Sequence, residues 1–191
     1  MEQIIQAAKE YMETLLGDNR DGHGPDHALR VYRTAMEIAD SEPEADRLIV
    51  GLSALLHDAD DHKLFDTRDN ENARRFLAAQ GVDEETVRRV CAVINGVSFS
   101  RNRDKKPDTL EGQIVQDADR LDAMGAVGIA RTFAYGGKHG RAAEDSIAHF
   151  HEKLLLLRDL LNTRKAKELG EERHAFLEAF LAEWDRETNK A

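Results

Sequence analysis

Four residues of types that commonly bind divalent metal ions occur in the order His, His-Asp, Asp along the chain. His57 and Asp58 are adjacent and directly follow the apolar run Leu48–Leu56. His27 lies upstream of this pair, and Asp119 lies downstream of it. Each ligand falls in its own helical segment, so the four side chains meet only if these helices pack together. The pattern therefore predicts a metal-dependent enzyme.

Two imidazoles and two carboxylates form a mixed ligand set of borderline hardness. Such a set suits an octahedral ion such as Mn²⁺, Fe²⁺ or Mg²⁺ better than a structural zinc cage. Four protein ligands on a six-coordinate ion leave about two positions for water and substrate. A divalent ion with open positions acidifies water and polarises phosphoryl oxygens. The ligand set is therefore compatible with hydrolysis of a phosphorylated substrate.

Two residues that follow the His57-Asp58 pair are candidates for catalysis and substrate binding. If the helical path continues, Asp61 lies one turn after His57 and over the same face. A carboxylate there can orient or deprotonate the attacking water, although a solvated loop acid is the alternative. Lys63 can hold a phosphate as a point charge, with a surface lysine as the alternative. We therefore expect His57, Asp58 and Asp61 to be the catalytic residues.

Other candidate substrate residues are spread over the chain. Arg120 and Arg131 offer paired donors to phosphate oxygens if they face the pocket. His149 and Lys153 are four residues apart on one helix face, which favours a substrate role for at least one of them. His23 lies in a loop, where a substrate contact and an ordinary loop residue are both open.

Two further carboxylates flank Asp119 in the sequence. Asp122 lies three residues after it, and Asp117 lies two residues before it. Both are close enough to support the metal ligands without binding the ion themselves.

The composition restricts the class of protein. The 191 residues are 41% hydrophobic and 34% charged, which is typical of one soluble globular domain. No apolar run approaches the ~20 residues of a membrane span, and no signal peptide is evident, so we expect a cytoplasmic protein without a membrane partner. The single cysteine, Cys91, excludes an internal disulfide framework. A net charge of −10 disfavours nucleic-acid polymers but not a small phosphorylated substrate.

Apolar residues recur with a helical period, and no segment alternates with a period of two, so the sequence predicts an all-α fold. A first helix over 2–16 is expected to end at Gly17, and Gly24 and Pro25 are expected to start the helix of His27. Pro43 is expected in the first turn of the next helix. Further helices are expected at about 70–80, 84–95 (capped by Asp83), 109–134, 144–161 and 165–188, with loops at 95–106 and 135–140. Within 109–134, the spacing of Gly125 and Gly128 predicts close helix packing or a kink.

The ordered H…HD…D pattern, with its local context, resembles the HD-domain superfamily of metal-dependent phosphohydrolases. The similarity extends over nearly the whole chain and is closest to the bacterial YpgQ/YedJ-like branch of nucleotide pyrophosphohydrolases. The segments that carry it are Gly22–Val31, His57–Lys63, Asp117–Ala126, His149–Leu155, Thr163, Arg173-His174 and Glu183-Trp184. His151 departs from the branch, which often has an aromatic residue at this position.

The resemblance implies a single HD domain over residues 1–191, with a metal-binding core at about 20–135 and C-terminal helices at about 144–188 packed on it. It implies one divalent ion on the four ligands, Mn²⁺ first and Mg²⁺, Fe²⁺, Co²⁺ or Ni²⁺ as alternatives. The implied reaction is hydrolysis of a (d)NTP, a small-molecule nucleotide, to a nucleoside monophosphate and pyrophosphate.

Three alternative functions remain open from the sequence. Two are enzymes of the same superfamily, a phosphomonoesterase and a cyclic-nucleotide phosphodiesterase. The third is a non-catalytic nucleotide-binding module, against which the complete ligand set argues. Long helices at the surface are also compatible with a homodimer.

Overall fold

The computed structural model describes residues 1–17, 24–62 and 64–188. Within these ranges the chain is helical and forms no strand, which confirms the all-α prediction. The elements in chain order are α1 (Glu2–Leu16), α2 (Pro25–Ala39), α3 (Arg47–Leu56), α4 (Glu71–Ala79), α5 (Glu84–Val97), α6 (Phe99–Asn102), α7 (Leu110–Asp122), α8 (Gly125–Lys138), α9 (Ala143–Glu152), a 3-10 segment (Leu154–Leu160) and α10 (Arg164–Thr188). None of the described helices combines the length and the apolar character that a membrane crossing requires.

Helix α3 lies at the centre of the core, with α1, α2, α5 and α7 packed around it. Every residue in Ile49–Leu56 is buried, and the apolar character of α3 on all sides suits this position. Gly51 allows α1 and α2 to approach closely, because a Cβ there would lie 2.9 Å from Ile5 Cδ1 and 3.3 Å from Tyr32 Cε2. This packing fixes the end of α3, where the histidine–aspartate pair follows.

Three predicted helix boundaries are confirmed. Helix α1 ends immediately before Gly17, and α2 starts at Pro25 with Gly24 as its N-cap. Helix α5 is capped by Asp83, whose carboxylate accepts a hydrogen bond from Thr86 N at 3.0 Å. These signals are local in the sequence, which is why they were readable without the fold.

The prediction that Pro43 lies in the first turn of α3 is wrong. Helix α3 starts at Arg47, and Pro43 belongs to the turn before it. The cap is Asp46, whose Oδ1 accepts hydrogen bonds from Leu48 N at 3.1 Å and Ile49 N at 3.3 Å. Because the Asp46 side chain accepts hydrogen bonds from these otherwise unpaired amides, it determines the start of the helix more strongly than the proline does.

The helical segment predicted over 109–134 is divided into two helices, because the chain breaks between α7 and α8. Helix α8 begins at Gly125, which has a φ of 64°. A Cβ on Gly128 would lie 2.2 Å from Ala123 O, so only glycine permits the tight turn that joins the two helices. The helical period of apolar residues continues across the break, whereas the spacing of Gly125 and Gly128 predicted close packing or a kink here.

Other segments expected to be irregular are partly helical. Residues 135–138 belong to α8, α5 extends to Val97, and Phe99–Asn102 forms α6. The helix expected over 144–161 ends at Glu152 as α9 and continues as the 3-10 segment.

The C-terminal helices lie against the metal-binding core, with α10 packed on α7 and α8. The helix expected at 165–188 is confirmed by α10. Four aromatic residues of α8, α9 and α10 form a cluster with ring centroids 5.5–6.3 Å apart: Phe133, Phe150, Phe180 and Trp184. Contacts of this kind favour aromatic pairs beyond simple burial.

Candidate metal centre

The fold brings together the four side chains that the sequence proposed as metal ligands. His27 lies in the first turn of α2, His57 caps the end of α3, Asp58 follows it, and Asp119 lies on α7. The two imidazole Nε2 atoms are 3.1 Å apart. The carboxylates of Asp58 and Asp119 each lie 3.4–3.9 Å from both Nε2 atoms. Among the described acidic, histidine and cysteine residues, His27, His57 and Asp119 form the one group with metal-binding spacing.

The partners of the other ring nitrogens show what the site can bind. His27 Nδ1 donates to Asp122 Oδ2 at 2.7 Å, and His57 Nδ1 donates to Ala54 O at 2.8 Å. Arg131 Nη1 also lies 3.1 Å from His27 Nδ1, but it is closer to Asp122 Oδ2, to which it donates. Asp122 and Ala54 O are acceptors, so in each neutral ring the proton resides on Nδ1 and the lone pair on Nε2. Two lone pairs and two carboxylates then face one another at close range. A cation or a proton must occupy this position, so the donor set fits a divalent ion.

The protonation of His27 reflects the same crowding of negative charge. Burial lowers the pKa of His27, but hydrogen bonds to Asp119 and Asp122 outweigh it and raise the pKa to about 9. Burial likewise opposes ionisation of Asp119, but the hydrogen bond to His27 and the charge of His57 hold its pKa below the usual value. Without a metal ion, a proton on His27 therefore balances the carboxylates at neutral pH.

Asp122 supports the metal site from behind His27. Its carboxylate is buried and accepts from Arg30 Nε at 2.7 Å and Arg131 Nη1 at 2.5 Å, besides His27 Nδ1. Burial opposes its ionisation, but these partners hold the pKa of Asp122 far below its usual range. A carboxylate that accepts from a ligand imidazole fixes the ring's orientation and tautomer. No local sequence pattern predicts that Arg30 supports Asp122, because the two residues are 92 positions apart.

The supporting role expected for Asp117 is wrong. Its carboxylate is fully buried and accepts from Asn162 N and Thr163 N, both at 2.8 Å, and from their side chains. Asp117 therefore holds the start of α10 against α7. None of its hydrogen bonds within the described residues reaches the proposed metal ligands.

A cavity of about 240 Å³ opens over three of the four proposed ligands, His57, Asp58 and Asp119. Asp61 lines it with a side chain that is 13% exposed, and His62 Nδ1 lies 3.3 Å from Asp61 Oδ1. Arg131 and Lys153 also line the cavity, and Lys153 Nζ lies 4.5 Å from the centre of the Phe99 ring. His23 and Lys63, the other proposed substrate residues, lie outside the described residues.

Arg120 lines the cavity, but its terminal nitrogens are engaged by the protein. Nη1 donates to Leu160 O, and Nη2 donates to Asn102 O at 3.2 Å and Arg103 O at 2.9 Å. Arg120 thus joins α6 and the 3-10 segment to α7 and holds two walls of the cavity. Its role toward a phosphate stays a prediction.

Asn70, Asn95 and Phe99 are among the residues that line the same cavity and that sequence reasoning missed. They come from the start of α4, the end of α5 and α6. No motif connects them, and only the packing of these helices brings them to the metal ligands.

Comparison with known proteins assigns the class. Residues 26–124 match the HD domain family, and the chain belongs to it. It is 40% identical to YpgQ of Bacillus subtilis strain 168, over 98% of this chain and 96% of that protein. The fold is that of HD-superfamily hydrolases: a structure with this description from Bacillus thuringiensis has a TM-score of 0.80 at 35% identity, covering 100% and 99% of the two chains.

Within this family, the chain falls in the YpgQ branch. The crystal structure of Bacillus subtilis YpgQ in complex with ADP has a TM-score of 0.86 at 35% identity, covering 99% of this chain and 97% of that one. A Lactobacillus plantarum structure has the same TM-score at 32% identity, covering 100% and 99% of the two chains. Both the recognised superfamily and the recognised branch are thus confirmed.

Proposed function

We propose that the protein is a metal-dependent phosphohydrolase that converts a (d)NTP into a nucleoside monophosphate and pyrophosphate. The observation that carries the proposal is the 3.1 Å approach of two imidazole Nε2 atoms whose Nδ1 atoms are both engaged elsewhere. The similarity to YpgQ, which was crystallised with ADP, supports a nucleotide as the substrate. Such a substrate agrees with the cytoplasmic location expected from the sequence.

The residues that would hold the ion are His27, His57, Asp58 and Asp119. We expect Mn²⁺, with Mg²⁺, Fe²⁺, Co²⁺ and Ni²⁺ as alternatives, because the ligands combine imidazole and carboxylate. When bound, the ion would supply positive charge to a phosphoryl oxygen and lower the pKa of water. Asp122 would keep His27 in the tautomer that offers Nε2.

Asp61 would act as the general base. Its carboxylate lines the cavity beside the ligands and can accept the proton of the attacking water. The water oxygen would then bond to the α-phosphorus, while the bond from this phosphorus to the bridging oxygen breaks. The electron pair of that bond leaves with pyrophosphate, and Asp61 passes its proton to solvent.

The cationic residues of the cavity would hold the charged part of the substrate. Arg131 and Lys153 are the described candidates, and Lys63 and His23 are proposed from the sequence alone. Arg120 would contribute its positive charge while its nitrogens hold the cavity walls. A cationic lining is needed here, because a net charge of −10 would otherwise repel the substrate.

The test is a panel of dNTPs, NTPs and cyclic nucleotides with each divalent ion, in which pyrophosphate and orthophosphate are quantified separately. Pyrophosphate release that His57→Ala and Asp61→Asn abolish is the expected result. His151→Ala, at an exposed histidine outside the cavity, is the matched control and should retain activity. Orthophosphate as the sole product, ring opening alone, or tight binding without turnover would assign one of the alternative functions instead. The predicted homodimer is tested separately by light scattering.

A further inference from the structure

We infer that the amide pair Asn70–Asn95 reads the base of the nucleotide and sets the base preference of the enzyme. This inference rests on the proposed function, because it assigns the nucleoside half of that substrate to one side of the cavity. Both residues line the cavity that contains the metal ligands.

The side chain of Asn70 does not cap helix α4, although Asn70 lies at the position where it could. Asn70 occupies the N-cap position of α4, where an asparagine side chain ordinarily accepts a hydrogen bond from the helix backbone. Here it makes no such bond. Asp60 caps the helix instead, accepting from Asn72 N at 2.9 Å and from Ala73 N at 3.0 Å. The amide of Asn70 is therefore not required as the cap of α4.

The backbone before α4 adopts a disfavoured conformation that places this amide. Asp69 and Asn70 have φ values of 51° and 57°, and among the described residues they alone are non-glycine residues with positive φ. Two consecutive left-handed residues are uncommon, and such outliers concentrate at functional sites. In this conformation Asn70 Nδ2 donates to Asn95 Oδ1 at 3.2 Å.

The bonded pair retains one donor and one acceptor. The side chain of Asn70 also hydrogen-bonds to the Cys91 thiol. No further hydrogen bond is made by Asn70 Oδ1 or Asn95 Nδ2 within the described part of the protein. If both amides were assigned the other way round, one donor and one acceptor would still remain. Asn70 is 8% exposed, while Asn95 is exposed at the mouth of the cavity. The edge of a nucleobase carries adjacent donors and acceptors that such a pair can bind.

The surroundings of the pair favour a base over a phosphate. The carboxylates of Asp60 and Asp61 line the same cavity, and negative charge near Asn70 disfavours a phosphate there. Ile94, Val97 and Phe99, which flank Asn95 along the chain, provide apolar surface for a planar ring.

The test uses two substitutions that separate base reading from structural support. Asn95→Asp retains the acceptor for Asn70 Nδ2 but converts the free donor into an acceptor. Two adjacent acceptors match the N1–H and N2–H₂ donors of guanine. We expect the ratio of kcat/KM for dGTP over dATP to rise about tenfold, the effect of one well-placed hydrogen bond, mainly through KM. Asn95→Ala should bring the four dNTPs within about threefold of one another.

The control for added negative charge on α5 is Ala92→Asp, an exposed position outside the cavity, which should leave the base ratios unchanged. A purely structural role would lower kcat/KM for all four dNTPs equally in Asn95→Ala and leave the ratio unchanged in Asn95→Asp. That result overturns the inference, as does a changed preference between deoxyribose and ribose with an unchanged base order. If the wild-type protein binds nucleotides without turnover, the proposed reaction fails. The same ratios, measured as dissociation constants, then test the base reading by itself.

Discussion

The contact between Asp122 and His27 should set the metal affinity of the site. The substitution Asp122→Asn keeps the size of the side chain but removes the charge that accepts from His27 Nδ1 at 2.7 Å. A hydrogen bond to a charged group contributes roughly 1.5–3 kcal/mol. Loss of the carboxylate partner of a ligand histidine typically weakens metal binding about 10- to 100-fold. We therefore expect Mn²⁺ affinity to fall by about this factor.

The assay must separate this effect from competition by the proton. Asp122 also helps raise the pKa of His27 to about 9, so its loss weakens proton binding as well as metal binding. Isothermal titration with Mn²⁺ under anaerobic conditions at pH 9 should show nearly the full loss, and at pH 7 a smaller one. Asp40→Asn breaks an exposed ion pair with Arg47 and should leave the affinity unchanged. Equal Mn²⁺ affinity of the wild-type and Asp122→Asn proteins at pH 9 would refute the reasoning.

Three further predictions concern protonation and packing. The pKa of His27 is raised in the fold, so protonation of His27 stabilises the metal-free protein below pH 6.5. This stabilisation should be lost between pH 6.5 and about 9, and the midpoint of urea unfolding should fall over the same range. Gly128→Ala places a Cβ against Ala123 O and should destabilise the protein by about 1–3 kcal/mol. Gly137 has open space around it, so Gly137→Ala should stabilise the protein by about 0.5–1 kcal/mol, and thermal melts measure both effects. Asp46→Ala removes the α3 cap and should lower the free energy of unfolding in urea by about 1–2 kcal/mol.

The convergence of the four proposed ligands could be predicted because each lies in a short segment with its own local signals. Pro25 starts the helix of His27, and the apolar run before His57 specifies a buried helix that must end near the pair. These patterns depend on neighbours within a few residues. The convergence of the segments then follows from burial of their apolar faces against one another.

The remaining parts of the site could not be predicted because they depend on partners far apart in the sequence. The bond from Asn70 to Asn95 joins residues 25 positions apart, and Arg120 donates to a carbonyl 40 positions away. The break before Gly125 leaves the helical period of apolar residues intact, so only the Gly125–Gly128 spacing indicated it, without the full separation into two helices. Such features arise when tertiary packing overrides local preference.

The buried polar residues of α7 show how the fold and the site depend on each other. Gln116, Asp117, Arg120 and Asp122 are all buried, and each is held by hydrogen bonds to residues far away in the sequence, with Asn162 shared by Gln116 and Asp117. Buried polar groups of this kind are costly unless they are satisfied, so their partners fix where α7 can lie. Asp119 lies on the same helix, and its distance to the two imidazoles therefore depends on contacts made on the other faces of α7. The proposed metal centre is thus positioned by hydrogen bonds that are made outside the ligand cluster.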